Sequence, residues 1–106
     1  MVVISIPKTF ELCGRKWKVK YVTPKTALKY SDSAEEAHGF CDDPTSTIYL
    51  IKGDSEEYTI ITFWHELAHG MLYSMGYREH DEAEVDRLGQ LLHQFDKSRK
   101  GVITLD

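Results

Sequence analysis

Residues 54–75 constrain this chain more than any other stretch. Asp54 and Ser55 are both good helix caps, and Glu56 and Glu57 put negative charge in the first turn, where a helix favours it. No proline interrupts the segment before Gly76, a residue suited to ending a helix in left-handed backbone. The expected helix is long, capped and apolar around its middle, with Trp64, Leu67, Met71 and Leu72. A second helix is expected from Asp81 to about Lys97. Its apolar stripe is Val85, Leu88, Leu91, Leu92 and Phe95.

The first half carries β signals. Phe10–Leu12 and Trp17–Val22 flank Cys13-Gly14-Arg15-Lys16, the pattern of a hairpin. Trp17, Val19 and Tyr21 alternate with Lys16, Lys18 and Lys20, so one face is expected in the core and the lysine face in solvent. Thr23-Pro24 opens a short helical stretch to Tyr30, and Ala34–Ala37 adds a turn. Gly39, Asp42, Asp43 and Pro44 read as loop. Thr47–Ile51 reads as a strand, closed by Lys52-Gly53-Asp54. Val102–Leu105 is a candidate edge strand.

Length and composition bound the rest. At 106 residues the chain is expected to form one domain, 1–106. Hydrophobic residues at 42% and charged residues at 28% exclude global disorder. The net charge of −4 argues against a nucleic-acid partner. No apolar run reaches the ~20 residues of a membrane span. Met1–Pro7 lacks the basic start of a signal peptide. Cys13 and Cys41 are too few for a disulfide framework and too far apart for a paired metal motif, so the expected compartment is the reducing cytoplasm.

The chemistry lies in Phe63-Trp64-His65-Glu66-Leu67-Ala68-His69-Gly70. On a helix, His65 and His69 project from one face, one turn apart, and can take adjacent corners of a zinc tetrahedron. Glu66 lies about 100° round the helix. It is therefore no ligand, but it can reach a metal-activated water as general base. Gly70 is costly inside a helix unless another element packs closely there.

A catalytic zinc needs a third protein ligand. Position 75, where a metzincin would place a third histidine, is Met75. The candidates are His80, Asp81, Glu82, Glu84 and Asp86. With Leu88 at the centre of the buried stripe, Glu84 lies about 40° away, while Glu82 and Asp86 fall on the polar side. Asp81 is in phase but is needed as the cap. Phase thus favours Glu84, ahead of His80 and Glu82.

His65-Glu66-x-x-His69 followed by Glu84-Val85-Asp86-x-Leu88 resembles the gluzincin branch of zinc peptidases. More narrowly it is similar to the small, often phage-encoded ImmA/IrrE-like metallopeptidases, the minigluzincins. In that pattern Glu84 falls on the ligand glutamate, Asp86 on the Asp, Leu88 on the Phe and Gly89 on the Ala; Val85 and Gly89 depart from it. The resemblance is motif-grade over residues 62–92. It implies an α+β minimal zincin fold: a small antiparallel sheet packed on the active-site helix, then the glutamate-bearing helix. It also implies a cytoplasmic zinc endopeptidase with His65, His69 and Glu84 as metal ligands. The partner is a polypeptide substrate, in some members a repressor-type protein. The alternative is a catalytically silent metal-binding module acting in partner-protein interaction. Tyr49, Tyr77, His38 and His80 are candidates for oxyanion stabilisation. Asp86, Asp81 and Glu82 are candidates to hold the second ring nitrogens of the histidines. Thr47–Ile51 is a candidate to pair with an extended substrate. His93 is expected in solvent.

Overall fold

The computed structural model describes residues 6–27, 38–99, 101 and 103–104. It is α+β, with a four-stranded mixed sheet and two long helices. The strands are β1 (Thr9–Leu12), β2 (Arg15–Val22), β3 (Gly39–Asp42) and β4 (Thr47–Ile51), in the order β1-β2-β4-β3. A four-residue helix, α1 (Pro24–Ala27), follows β2; α2 (Glu56–Ser74) and α3 (Glu82–Ser98) complete the fold. Among the described residues no helix is long and apolar enough to cross a membrane.

The β1–β2 hairpin forms as its turn chemistry demands. Cys13 and Gly14 both take positive φ, of 51° and 76°, and Phe10 pairs with Trp17. Trp17 is fully buried while Lys16, Lys18 and Lys20 are exposed. Tyr21 is exposed rather than buried. The sheet is not wholly antiparallel as expected: β2 and β4 run parallel, Val19 beside Ile48. The chain leaves β2, crosses to the far edge as β3 and turns back into β4. Two strands separated by such a crossover can meet in parallel.

The assignment of residues 39–42 to loop is corrected by β3, which pairs antiparallel with β4. The loop-like composition misleads because Gly39 serves close packing. A Cβ there would stand 2.7 Å from both Thr62 Cγ2 of α2 and the Tyr49 carbonyl oxygen. Strand β4 is therefore interior, with every residue buried, and β3 holds the edge. Thr47–Ile51 has no free edge to offer a substrate. The turns expected at 28–30 and 34–37 lie outside the described residues. So do Val102 and Leu105 of the candidate edge strand.

Helix α2 lies on the sheet. Phe63 and Leu67 join Trp17, Ile48 and Leu50 in the core, with Phe10, Leu12, Trp64 and Met71 packed around them. Full burial of a side chain such as Ile48, Leu50, Phe63 or Leu67 is worth about 1.5–3 kcal/mol, and the partly buried ones contribute less. A Cβ on Gly70 would meet the Trp17 ring at 3.4 Å, the close approach its mid-helix cost implied. Ser55 caps α2, its hydroxyl accepting from the Tyr58 N–H at 3.2 Å. At the other end Gly76 takes φ +96°. The Tyr77 N–H donates to the Leu72 carbonyl and the Gly76 N–H to the Tyr73 carbonyl, which is a complete Schellman ending. Asp81 caps α3. Only residues 75–81 separate the helices, which fold back as a hairpin.

Candidate metal centre

His65 and His69 sit on the face of α2 turned towards α3, their ring centroids 5.2 Å apart. The structure brings Glu82 to them. His65 Nε2 lies 3.3 Å from one Glu82 carboxylate oxygen, and His69 Nε2 lies 3.2 Å from the other. One donor atom from each of His65, His69 and Glu82 falls within 4.8 Å of the others, so these three residues could hold a metal ion.

Glu84 is not brought to this group. It is exposed on α3. The reason is the phase of the helix. Gly89, not Leu88, is the centre of its contact with α2: a Cβ there would lie 3.0 Å from His65 Cα and 3.0 Å from the Trp64 carbonyl oxygen. Counted from Gly89, Glu82 lies about 20° away, Val85 and His93 about 40° and Asp86 about 60°, whereas Glu84 lies about 140° round the helix. Val85 is fully buried, and Leu91 and Phe95 of the expected stripe are 68% and 67% exposed. His93, expected in solvent, is half-buried and stacks on Trp64 at 5.8 Å between centroids. Gly89 was the legible signal for Glu82, which precedes it by two turns.

The other nitrogens of the histidines have partners too. His65 Nδ1 lies 3.5 Å from an Asp86 carboxylate oxygen, whose partner oxygen accepts from Gln90. His69 Nδ1 lies 2.7 Å from His80 Nδ1. His80 therefore stands behind a ligand candidate rather than among them. Asp81 caps α3 instead of holding a histidine. Tyr73, which sequence reasoning did not single out, packs against both His69 and His80. Its place one turn after His69 was the available signal. Burial holds the His69 imidazole below its ordinary pKa, against the opposing pull of Glu82. That favours the neutral ring, the form that binds metals.

Glu66 lies about 100° round α2 from His65 and near enough to Glu82 to feel its charge. It is only 8% exposed. Burial, aided by the charge of Glu82, pushes its carboxyl up to about 8. Its charge in turn reaches Cys41 on β3, where burial is the largest cause raising the thiol pKa. Cys13 and Cys41 are free thiols.

The candidates for oxyanion stabilisation are dispersed. Tyr49 is buried against Phe40. His38 pairs with Asp54 at 3.0 Å. The Tyr77 ring is exposed in the interhelical turn. A groove of about 690 Å³ runs between α2 and α3, lined among others by Ile60, Ile61, Trp64, His65, Asp86 and His93. No protein-family model, curated protein or solved structure matches this chain.

Proposed function

We propose that this protein is a zinc-dependent peptidase of the gluzincin kind, with His65, His69 and Glu82 holding the metal and Glu66 as general base. One observation carries the reading. Both imidazole Nε2 atoms face the Glu82 carboxylate, at 3.3 and 3.2 Å from different ones of its oxygens, and one donor from each of the three residues lies within 4.8 Å of the others, a spacing that a single zinc with bonds of about 2.0–2.1 Å can draw together. Two imidazoles and a carboxylate are a donor set that suits zinc and leaves a fourth position for water or substrate.

Bound there, zinc would lower the pKa of a water to about 7 and polarise a carbonyl. The chain's own residues do the rest. Glu66 takes a proton from the attacking water and returns it to the leaving amine. A raised carboxyl pKa matches that shuttle, since a base poised near the working pH can both accept and release. Asp86 and His80 hold the ligand rings from behind. The groove beside His65 receives a side chain of the polypeptide, and its apolar members Ile60, Ile61 and Trp64 select an apolar one. The resemblance of the motif to the ImmA/IrrE-like peptidases supports the same chemistry and a cytoplasmic setting, with the third ligand at Glu82 in place of Glu84.

Metal analysis of the purified protein, paired with hydrolysis of a mixed peptide library, tests the proposal. The expected result is one zinc per chain and cleavage that Glu66→Gln abolishes while zinc stays bound. Protein that binds no divalent ion, or a Glu66→Gln variant that cleaves like its parent, overturns it. Zinc bound without cleavage of any peptide would leave the partner-binding module instead.

A further inference from the structure

We infer that the groove between α2 and α3 is a subsite for a peptide segment that carries a lysine or arginine about two residues beyond an apolar one, both on the same side of the bond to be cut. The inference rests on the proposed peptidase reading for the cutting, and on the groove alone for the binding.

The groove changes character along its length. His65 stands at one end. Ile60, Ile61 and Trp64 form an apolar middle, with Ile61 45% exposed. Helix α3 runs back along α2 with Gly89 set against His65, so Asp96 and Lys97 come level with Tyr58 and Glu57 at the far end. Glu56, Glu57 and Asp96 there outnumber the single ammonium of Lys97. Asp96 is held by Arg99 at 2.9 Å. Among the described residues Glu56 and Glu57 have no ion-pair partner. First-turn carboxylates suit the positive end of α2, but that attraction acts through the helix and leaves them available to a cation in the groove. An apolar side chain laid on the isoleucines and Trp64 leaves water. A cation beyond it meets unpaired carboxylates, and an anion there is repelled.

Helix rise sets the spacing. At about 1.5 Å per residue, Ile60 and Ile61 lie about 6–8 Å from His65 along α2, and Glu56 and Glu57 about 12–14 Å. An extended peptide advances about 3.3 Å per residue, so the first distance spans about two residues and the second about four. The apolar and the basic residue are therefore read in that order outward from the cut.

The test uses the full chain, kept metal-free by a chelator so that nothing is cut. Binding is read from the fluorescence of Trp64, which lines the groove, whereas Trp17 is fully buried in the core. The probes are short peptides with Leu and, two residues on, Lys or Glu, and a third with Ser in place of Leu. At about 0.01 M salt the Lys peptide should bind roughly three- to tenfold more tightly than the Glu peptide, and the gap should close at about 1 M salt. Ser in place of Leu should weaken binding about tenfold. The double variant Glu56→Lys, Glu57→Lys should reverse the order of the Lys and Glu peptides, which a merely weakened helix would not do. Equal affinity for the two peptides overturns the inference, as does an unreversed order in the variant. So does a Trp64 signal that follows protein concentration without peptide, because a second copy of the chain then fills the groove. Peptides bound in the expected order by protein that takes up no zinc sustain the subsite and sink the proposed function. Cleavage indifferent to the basic residue sustains the function and overturns the subsite.

Discussion

Gly89 of α3 rests on the backbone of His65: a Cβ at this position would come within 3.0 Å of His65 Cα and 3.1 Å of His65 N. These are backbone atoms that cannot swing aside. Helix propensity alone would favour almost any other residue here by about 0.5–1 kcal/mol. Overpacking costs about 1–3 kcal/mol, so the contact outweighs propensity. Gly89→Val should therefore destabilise the protein by about 2 kcal/mol and, by pushing Glu82 away from the histidines, weaken zinc at least tenfold. Thermal unfolding and zinc titration of the same variant check both parts; a variant with parental zinc affinity would mean that the helix separation does not set the site.

The register of α3 makes a sharper prediction. Glu82 touches both imidazoles, and Glu84 is exposed about 140° round the helix from the contact. Glu82→Ala should weaken zinc well over tenfold, because one of three protein ligands is gone. Glu84→Ala should change it less than about threefold, the scale of a screened surface charge. The reverse order of effects would restore Glu84 as the ligand and mean that α3 turns a different face to the histidines.

Much of the frame was legible because single residues carried it. Ser55, Gly76 and Asp81 mark the helix ends by their capping chemistry, and each sits where that chemistry put it. Trp17 against the exposed lysines gave the orientation of β2. The pairing of His65 with His69 followed from helical spacing alone. What failed was the face of α3. Leu88, Leu91 and Phe95 outweigh the true contact face in hydrophobicity, yet that face is chosen by how closely Gly89 lets two backbones approach. It also carries Glu82, Asp86 and His93, polar residues that a periodicity argument assigns to solvent. Strand β3 was hidden for the same reason, because Gly39 is placed for tight packing against Thr62 and not for a turn. In both elements the close contact across two segments is invisible to a local reading.

Asp43 ties three segments together. It lies in the turn between β3 and β4 and accepts from Arg15 at the start of β2 at 2.5 Å and from Arg78 in the interhelical turn at 2.9 Å. The Arg15 hydrogen bond, followed by that of Arg78, holds its carboxyl below the usual carboxylate range. Both guanidinium groups are partly solvated, so the pairs are worth on the order of 1 kcal/mol together. A depressed acid stabilises the fold where it is ionised and loses that contribution as pH falls through the folded-state value. Asp43→Asn should thus cost about 1 kcal/mol at neutral pH and progressively less in acid. Denaturant titration at both pH values reads this. Because Arg78 precedes His80 by two residues, zinc affinity should drop a few-fold as well; equal stability loss at neutral and acid pH would show that the charge of Asp43 is not what matters.

Glu66 has the opposite sign. Its folded-state pKa is about 8, against an ordinary 4.5. Below 4.5 the carboxyl is protonated whether the chain is folded or not, and burial costs nothing extra. As pH rises past 4.5 the unfolded chain releases the proton while the folded chain keeps it, so stability falls until about pH 8, where the folded state ionises too. Glu66→Gln removes this penalty. Without metal, the variant should match its parent near pH 4.5 and exceed it by a few kcal/mol, at most about 4–5, at pH 8 and above. Adding zinc should shrink the gap, because a nearby dication favours the carboxylate and lowers its pKa. Melting curves across pH, with chelator and with zinc, decide the matter. Parallel stability profiles for variant and parent between about pH 5 and 8 would mean that Glu66 ionises freely and is not the poised base the site requires.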